Sequence, residues 1–130
     1  MFNFELRRYV SCDDSQKHIC LEIVDVIYKL ALLAREHGIS GLVSEMENIR
    51  NNLLRLGVGL LVDNTDVDLL EEILNSAIVF SNKTGADLLL QLIIREGVSS
   101  IKRGYNPEII KIKMYSYLGE DKCLDMSPYA

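Results

Sequence analysis

The chain has 130 residues, 48% of them hydrophobic and 25% charged, with a formal net charge of −5 at pH 7. That length suits one domain able to bury roughly two thirds of its unfolded surface, and the composition is that of a soluble globular protein. The acidic balance excludes nucleic acid as the default ligand, because phosphate binding needs a cationic surface, and it suits a basic partner.

Cys12, Cys20 and Cys123 are an odd set, which reads as reduced thiols in a cytosolic protein. The opening MFNFELRRYV lacks the apolar core of a signal peptide, and its aromatic and basic residues read as a packed or frayed terminus. The most apolar stretches, Leu53–Val62 and Leu88–Ile94, contain Arg55 and Gln91. Each is bounded by charge within a turn, so both read as core helices and not as membrane spans.

Taken in order, Asp13-Asp14-Ser15 offers caps for a first long helix of about 22 residues. Its apolar stripe is Ile19, Ile23, Ile27, Leu30 and Leu33, with Val24 and Ala34 beside it, and Cys20 half-buried. Lys29, Arg35 and His37 lie near the carbonyl end, and Gly38 supplies a left-handed stop. A short second helix from Ser40 puts Leu42, Met46 and Ile49 on its apolar edge and Glu45 and Glu47 on its polar side.

Asn51 or Asn52 caps a third helix carrying Leu53, Leu54, Leu56, Leu60 and Leu61. Gly57 and Gly59 cost about 1 kcal/mol each relative to alanine, so they predict close helix packing where they stand. Thr65 is the expected N-cap of a fourth helix, followed by Leu69, Leu70, Ile73, Leu74, Ala77 and Phe80 in helical register.

Ser81–Gly85 has turn composition, yet the apolar stripe continues through it, so Asp66–Arg103 reads either as one long helix or as two broken at Gly85. Gly97 raises the same question. Gly104 ends the segment. Asn106-Pro107-Glu108 then combines an N-cap, a proline at the first helical position and an acid in the first turn. Ile109, Ile112, Tyr115 or Tyr117, and Leu118 continue to Gly119, and a loose tail follows from about residue 120.

No alternating run of strand length competes, so the chain reads as a single all-α domain, a small bundle of about five or six helices including one long or kinked helix. Cys12, His18 and Cys20 fall short of the four ligands of structural zinc. No phosphate loop, serine elbow or His-Glu-x-x-His pattern occurs, and two histidines without partner spacing give no acid–base pair. Neither a metal, a cofactor nor an enzymatic site is expected. The residues describe a helical, acidic interaction module.

A resemblance adds to this reading. LALLAREHGISGLVSEMENI followed by LLRLGVGLLVDNTDVDLLEEIL resembles the cytoplasmic loop of the flagellar motor stator subunit MotA, through Ala34-Arg35, Gly38, Glu45, Glu47, Gly57, Val62-Asp63 and Thr65-Asp66. LIIREGVSSIKRGYNPEIIKIKMYSYL looks like the MotA cytoplasmic tail, through Ile94, Glu96-Gly97, Ile101, Gly104, Asn106-Pro107 and Ile110. Together the two segments span about Ile23–Leu118.

The stator's membrane helices have no counterpart here, and the region Asn75–Leu88 joins loop to tail directly, so ion conduction does not carry over. In the family an arginine in the helix turn and a glutamate about eight residues later contact the rotor switch protein FliG. Arg35 matches the arginine, while Val43 stands at the acid's position and Glu45 lies two residues on.

The resemblance implies a cytoplasmic module at the inner face of the membrane near the flagellar motor. It would bind FliG or stator subunits through Arg35, Glu36, Glu45, Glu47 and Arg50. A homodimer that covers unpaired apolar helix faces is the alternative, and Arg35 also serves the helix dipole, worth about 0.3–1 kcal/mol.

Overall fold

The computed structural model describes residues 6–125, all of whose regular structure is helical. The elements are α1 (Leu6–Tyr9), α2 (Asp14–His37), a 3-10 helix (Ile39–Asn48), α3 (Asn52–Val62), α4 (Val67–Val79), α5 (Gly85–Arg103), α6 (Pro107–Ser116) and α7 (Glu120–Asp125). The all-α expectation holds, with seven α-helices and one 3-10 helix among the described residues against the five or six expected. The surplus lies in α1 and α7, which are too short for hydrophobic periodicity to register. Met1–Glu5 and Met126–Ala130 lie outside the described residues, so the expectations for the first five positions and for the end of the tail fall there.

Local chemistry sets the boundaries. Asp13 caps α2 through a capping box: its carboxylate accepts from the Gln16 amide at 2.9 Å, and the Gln16 side chain accepts from the Asp13 amide at 3.0 Å. Asn51 caps α3, and Asn106 with Pro107 opens α6 as expected. The cap of α4 is Asp66 and not Thr65, its carboxylate accepting from the Leu69 amide at 3.0 Å. Asn64, two residues earlier, carries a positive φ of 58° in the turn that joins α3 to α4.

The segment between α4 and α5 is a genuine break. Asn82 and Gly85 have φ of 59° and 64°, conformations that no right-handed helix passes through.

The core is built around α2 and α5, with α6 packed on both and α3 and α4 packed on α5. Two glycines set how closely these helices approach. A Cβ on Gly97 would lie 2.6 Å from Ile27 Cγ2 and 2.9 Å from Met114 Sδ, so α2, α5 and α6 meet over a bare backbone. Gly97 therefore does not break α5; it packs it. A Cβ on Gly57 would lie 2.8 Å from Val98 Cγ2, which is the expected close packing of α3, whereas Gly59 meets only the Met46 methyl at 3.6 Å.

The buried stripe of α2 is Cys20, Val24, Ile27, Leu30 and Ala31. Ile19 is 58% exposed, and Cys20 is wholly buried where half-burial was expected. Burial pushes the Cys20 thiol up to about 11, so it stays protonated, and all three cysteines are free.

Candidate functional site

The residues expected to bind a partner fall on two faces of α2. Arg35 lies nine positions after Val26, about two and a half turns at 3.6 residues per turn, and so points away from it. Each face has its own concavity.

On the first face, α2 and α5 both end beside the start of α6. Gly38 closes α2 with φ 78° and ψ 171°. That is a positive-φ extended conformation open in practice only to glycine, and not the left-handed helical one expected. A cleft of about 470 Å³ opens there, lined by Ala34, Arg35, Ile101, Lys102, Tyr105 and Ile110 among others.

Its charge is cationic, which offsets the two converging carbonyl ends. Lys102 Nζ donates to Asn64 Oδ1 at 2.9 Å, and Lys113 Nζ stands 4.7 Å from the Tyr105 ring centre. Arg35 is exposed, and its side chain makes no hydrogen bond or ion pair with any described residue. Glu36, also exposed, lies 3.8 Å from His37. The lining offers cations above an apolar floor, chemistry suited to an acidic group carried on an apolar body. Lys102 and Tyr105 were not singled out in the sequence, because they approach Arg35 only through the packing of α5 against α2.

On the second face, the 3-10 helix doubles back along α2. Ten residues at roughly 2.0 Å rise cover about 20 Å, where an α-helix would cover about 15 Å. The 3-10 repeat stacks positions three apart, which aligns Glu45 with Asn48 on the wall facing α2. Arg55 fixes the exit of this segment, donating from its guanidinium to the Ile49 carbonyl at 2.6 and 3.1 Å.

The result is two adjoining hollows of about 340 and 350 Å³ that share Val26, Asn48 and Ile49. Glu45 lines the first and Arg50 the second. Glu47 is exposed on the same 3-10 helix as Glu45, and none of these three side chains has a hydrogen bond or ion pair with a described residue. Val43, which the resemblance sets at the position of the family's acid, is 52% exposed.

Elsewhere the polar side chains serve the fold. Glu71 of α4 accepts from the Ser99 hydroxyl and from Arg103 at 3.2 Å, with Arg95 at 3.9 Å. The Ser99 hydrogen bond and the two guanidinium charges hold its carboxyl below the usual range. Glu96 of α5 accepts from the Tyr117 hydroxyl at 3.2 Å and pairs with Lys113 at 3.4 Å. Burial first, then the Glu96 charge, pushes the Tyr117 phenol up to about 12. Tyr28 donates to Glu108 and lies under Lys111, tying α2 to α6.

Among the described residues no group of three or more His, Cys, Asp and Glu is placed to hold a metal, and no helix is long and apolar enough to cross a membrane. The fold and its two concave faces define an all-helical domain whose unpaired charges face outward. Comparison of the chain with family models, with curated proteins and with solved structures finds no match in any of the three.

Proposed function

We propose that the protein is a MotA-like helical interaction module that works at the cytoplasmic face of the flagellar motor, engaging the rotor switch protein FliG or stator subunits, without ion conduction or catalysis of its own. One observation carries this reading: Arg35, the residue that matches the family's rotor-facing arginine, is exposed and unpartnered among the described residues at the mouth of a cationic cleft. A cation spared from internal pairing beside Lys102 favours acidic surfaces, and contacts of this kind set steering and specificity more than raw affinity.

The test is capture from flagellated cells with the full chain as bait. Wild type should recover a motor component and Arg35→Glu should lose it, while Val43→Glu, which returns an acid to the position where the family has one, should increase recovery of FliG. Capture of no motor component by any of the three, together with normal motility when the gene is deleted, overturns the proposal.

A further inference from the structure

The groove on the other face of α2 is complementary to itself. Its α2 wall is Ile19, Ile23, Val26, Leu30 and Leu33, spaced four, three, four and three residues apart, the repeat of a coiled-coil seam. This seam shares Leu30 with the stripe that fills the core, and two of its other members, Ile19 at 58% and Val26 at 41%, are exposed. Leu30 forms the floor, buried with Ile49 and Leu54.

Charge is distributed along the groove in a particular order. Lys29 and Glu45 line the end toward Leu33, and Glu22 and Arg50 line the end toward Ile19. A two-fold axis at Val26, relating two antiparallel copies of α2, sets Ile19 opposite Leu33 and Ile23 opposite Leu30. The same operation sets Lys29 opposite Glu22 and Glu45 opposite Arg50. Each juxtaposition joins opposite charges and occurs twice, as a closed isologous interface requires.

Nothing inside the protomer competes for Glu45 or Arg50, neither of which has an internal partner among the described residues. Lys29 and Glu22 are held only by one-turn pairs at the surface, to Asp25 at 3.0 Å and to His18 at 4.0 Å. Exposed pairs of that kind contribute little and exchange readily. We infer that a second copy of this chain occupies the groove, forming a homodimer through antiparallel α2 helices. The inference goes beyond the motor reading and uses the face of α2 away from Arg35, so each fails or stands by its own test.

Sedimentation of the purified full chain decides it. Wild type should be dimeric at concentrations of about 10–100 μM, within the range of a modest interface. Val26→Glu sets like charges against each other at the axis and should give a monomer with an unchanged helical circular dichroism spectrum. Glu45→Arg and Arg50→Glu should each weaken the dimer by about tenfold or more. An equimolar mixture of those two variants should recover it, since every cross pair is then Arg–Glu, and so should the double variant. A monomeric wild type overturns the inference. So does a dimer indifferent to Val26→Glu, or single variants that neither mixing nor combination rescues.

Discussion

The polar groups joining α4, α5 and α6 are paired within the protomer, whereas Glu45, Glu47 and Arg50 beside the α2 groove are not. On the first side Glu71 takes Ser99, Arg95 and Arg103, and Glu96 takes Tyr117, Ser100 and Lys113. No buried side-chain nitrogen or oxygen among the described residues lacks a partner. On the second side Glu45, Glu47 and Arg50 have none, and Ile19 and Val26 keep apolar surface in water. Leaving a buried polar group unpaired costs about 1–3 kcal/mol, which fixes the first network. Glu47 and Arg50 are exposed and Glu45 only half-buried, so these charges keep contact with water, escape that penalty and remain free to meet something outside the protomer.

This contrast breaks most sharply at Gly97, where the paired side is anchored to α2. Gly97→Val places carbon where Ile27 and Met114 already sit, and should cost more than about 3 kcal/mol, beyond the usual range for overpacking because two neighbours must move. Urea unfolding measures it. A midpoint within error of wild type would mean that the three helices do not meet as described.

Next comes Glu71→Gln, which keeps the shape and removes the charge. Hydrogen bonds to a charged group contribute about 1.5–3 kcal/mol, but Arg103 is partly exposed, so a loss of about 1–2 kcal/mol at neutral pH is expected. The sign with pH follows from the lowered carboxyl. Its folded value lies below the usual 4.5, so its contribution is complete above that point and is lost as pH falls through the folded value. Wild type should therefore lose stability on acidification below about pH 4.5 more steeply than Glu71→Gln, whose curve should be flatter across that window. Parallel curves would remove Glu71 from the acid limb.

Tyr117→Phe is a smaller break on the same side. It deletes the hydroxyl that donates to Glu96 while leaving Lys113 and Ser100 in place, and should cost about 1 kcal/mol in the same unfolding experiment. A stabilised variant would show that the hydroxyl costs more to bury than its bond returns.

How much of this was legible in the sequence depends on what each feature needed. Helix class and most boundaries rest on local signals, and Asn51, Gly104 and Asn106-Pro107 act where the pattern puts them. Choosing the buried face was harder wherever apolar residues stand side by side. The sequence stripe used Ile19 and Ile109, and the structure buries Cys20 and Ile110, each one position later and so about 100° around the helix. Periodicity alone does not separate such neighbours. It also hid Val26, because Ile27 satisfies the core stripe while Val26 completes the outer four-three repeat. The candidate residues themselves were legible as charges near one turn. That Arg35 faces one way and Glu45 and Arg50 another depends on the 3-10 path after Gly38, which no propensity anticipates over ten residues.

The smallest expected effect lies on the unpaired side and sharpens the comparison most. Glu45→Gln and Arg50→Gln remove charges that hold nothing inside the protomer, so each should change stability by no more than about 0.5 kcal/mol when unfolding is followed in dilute protein. Raising the protein concentration supplies the contrast, because association stabilises whatever folded form it binds. Wild type should then gain in unfolding midpoint and the two variants should gain less. Glu71→Gln should behave in the opposite way, less stable at every concentration yet with the same concentration dependence as wild type. If Glu45→Gln or Arg50→Gln instead destabilises the dilute protein as much as Glu71→Gln does, these charges serve the protomer. The two sides of the molecule would then differ in geometry without differing in purpose.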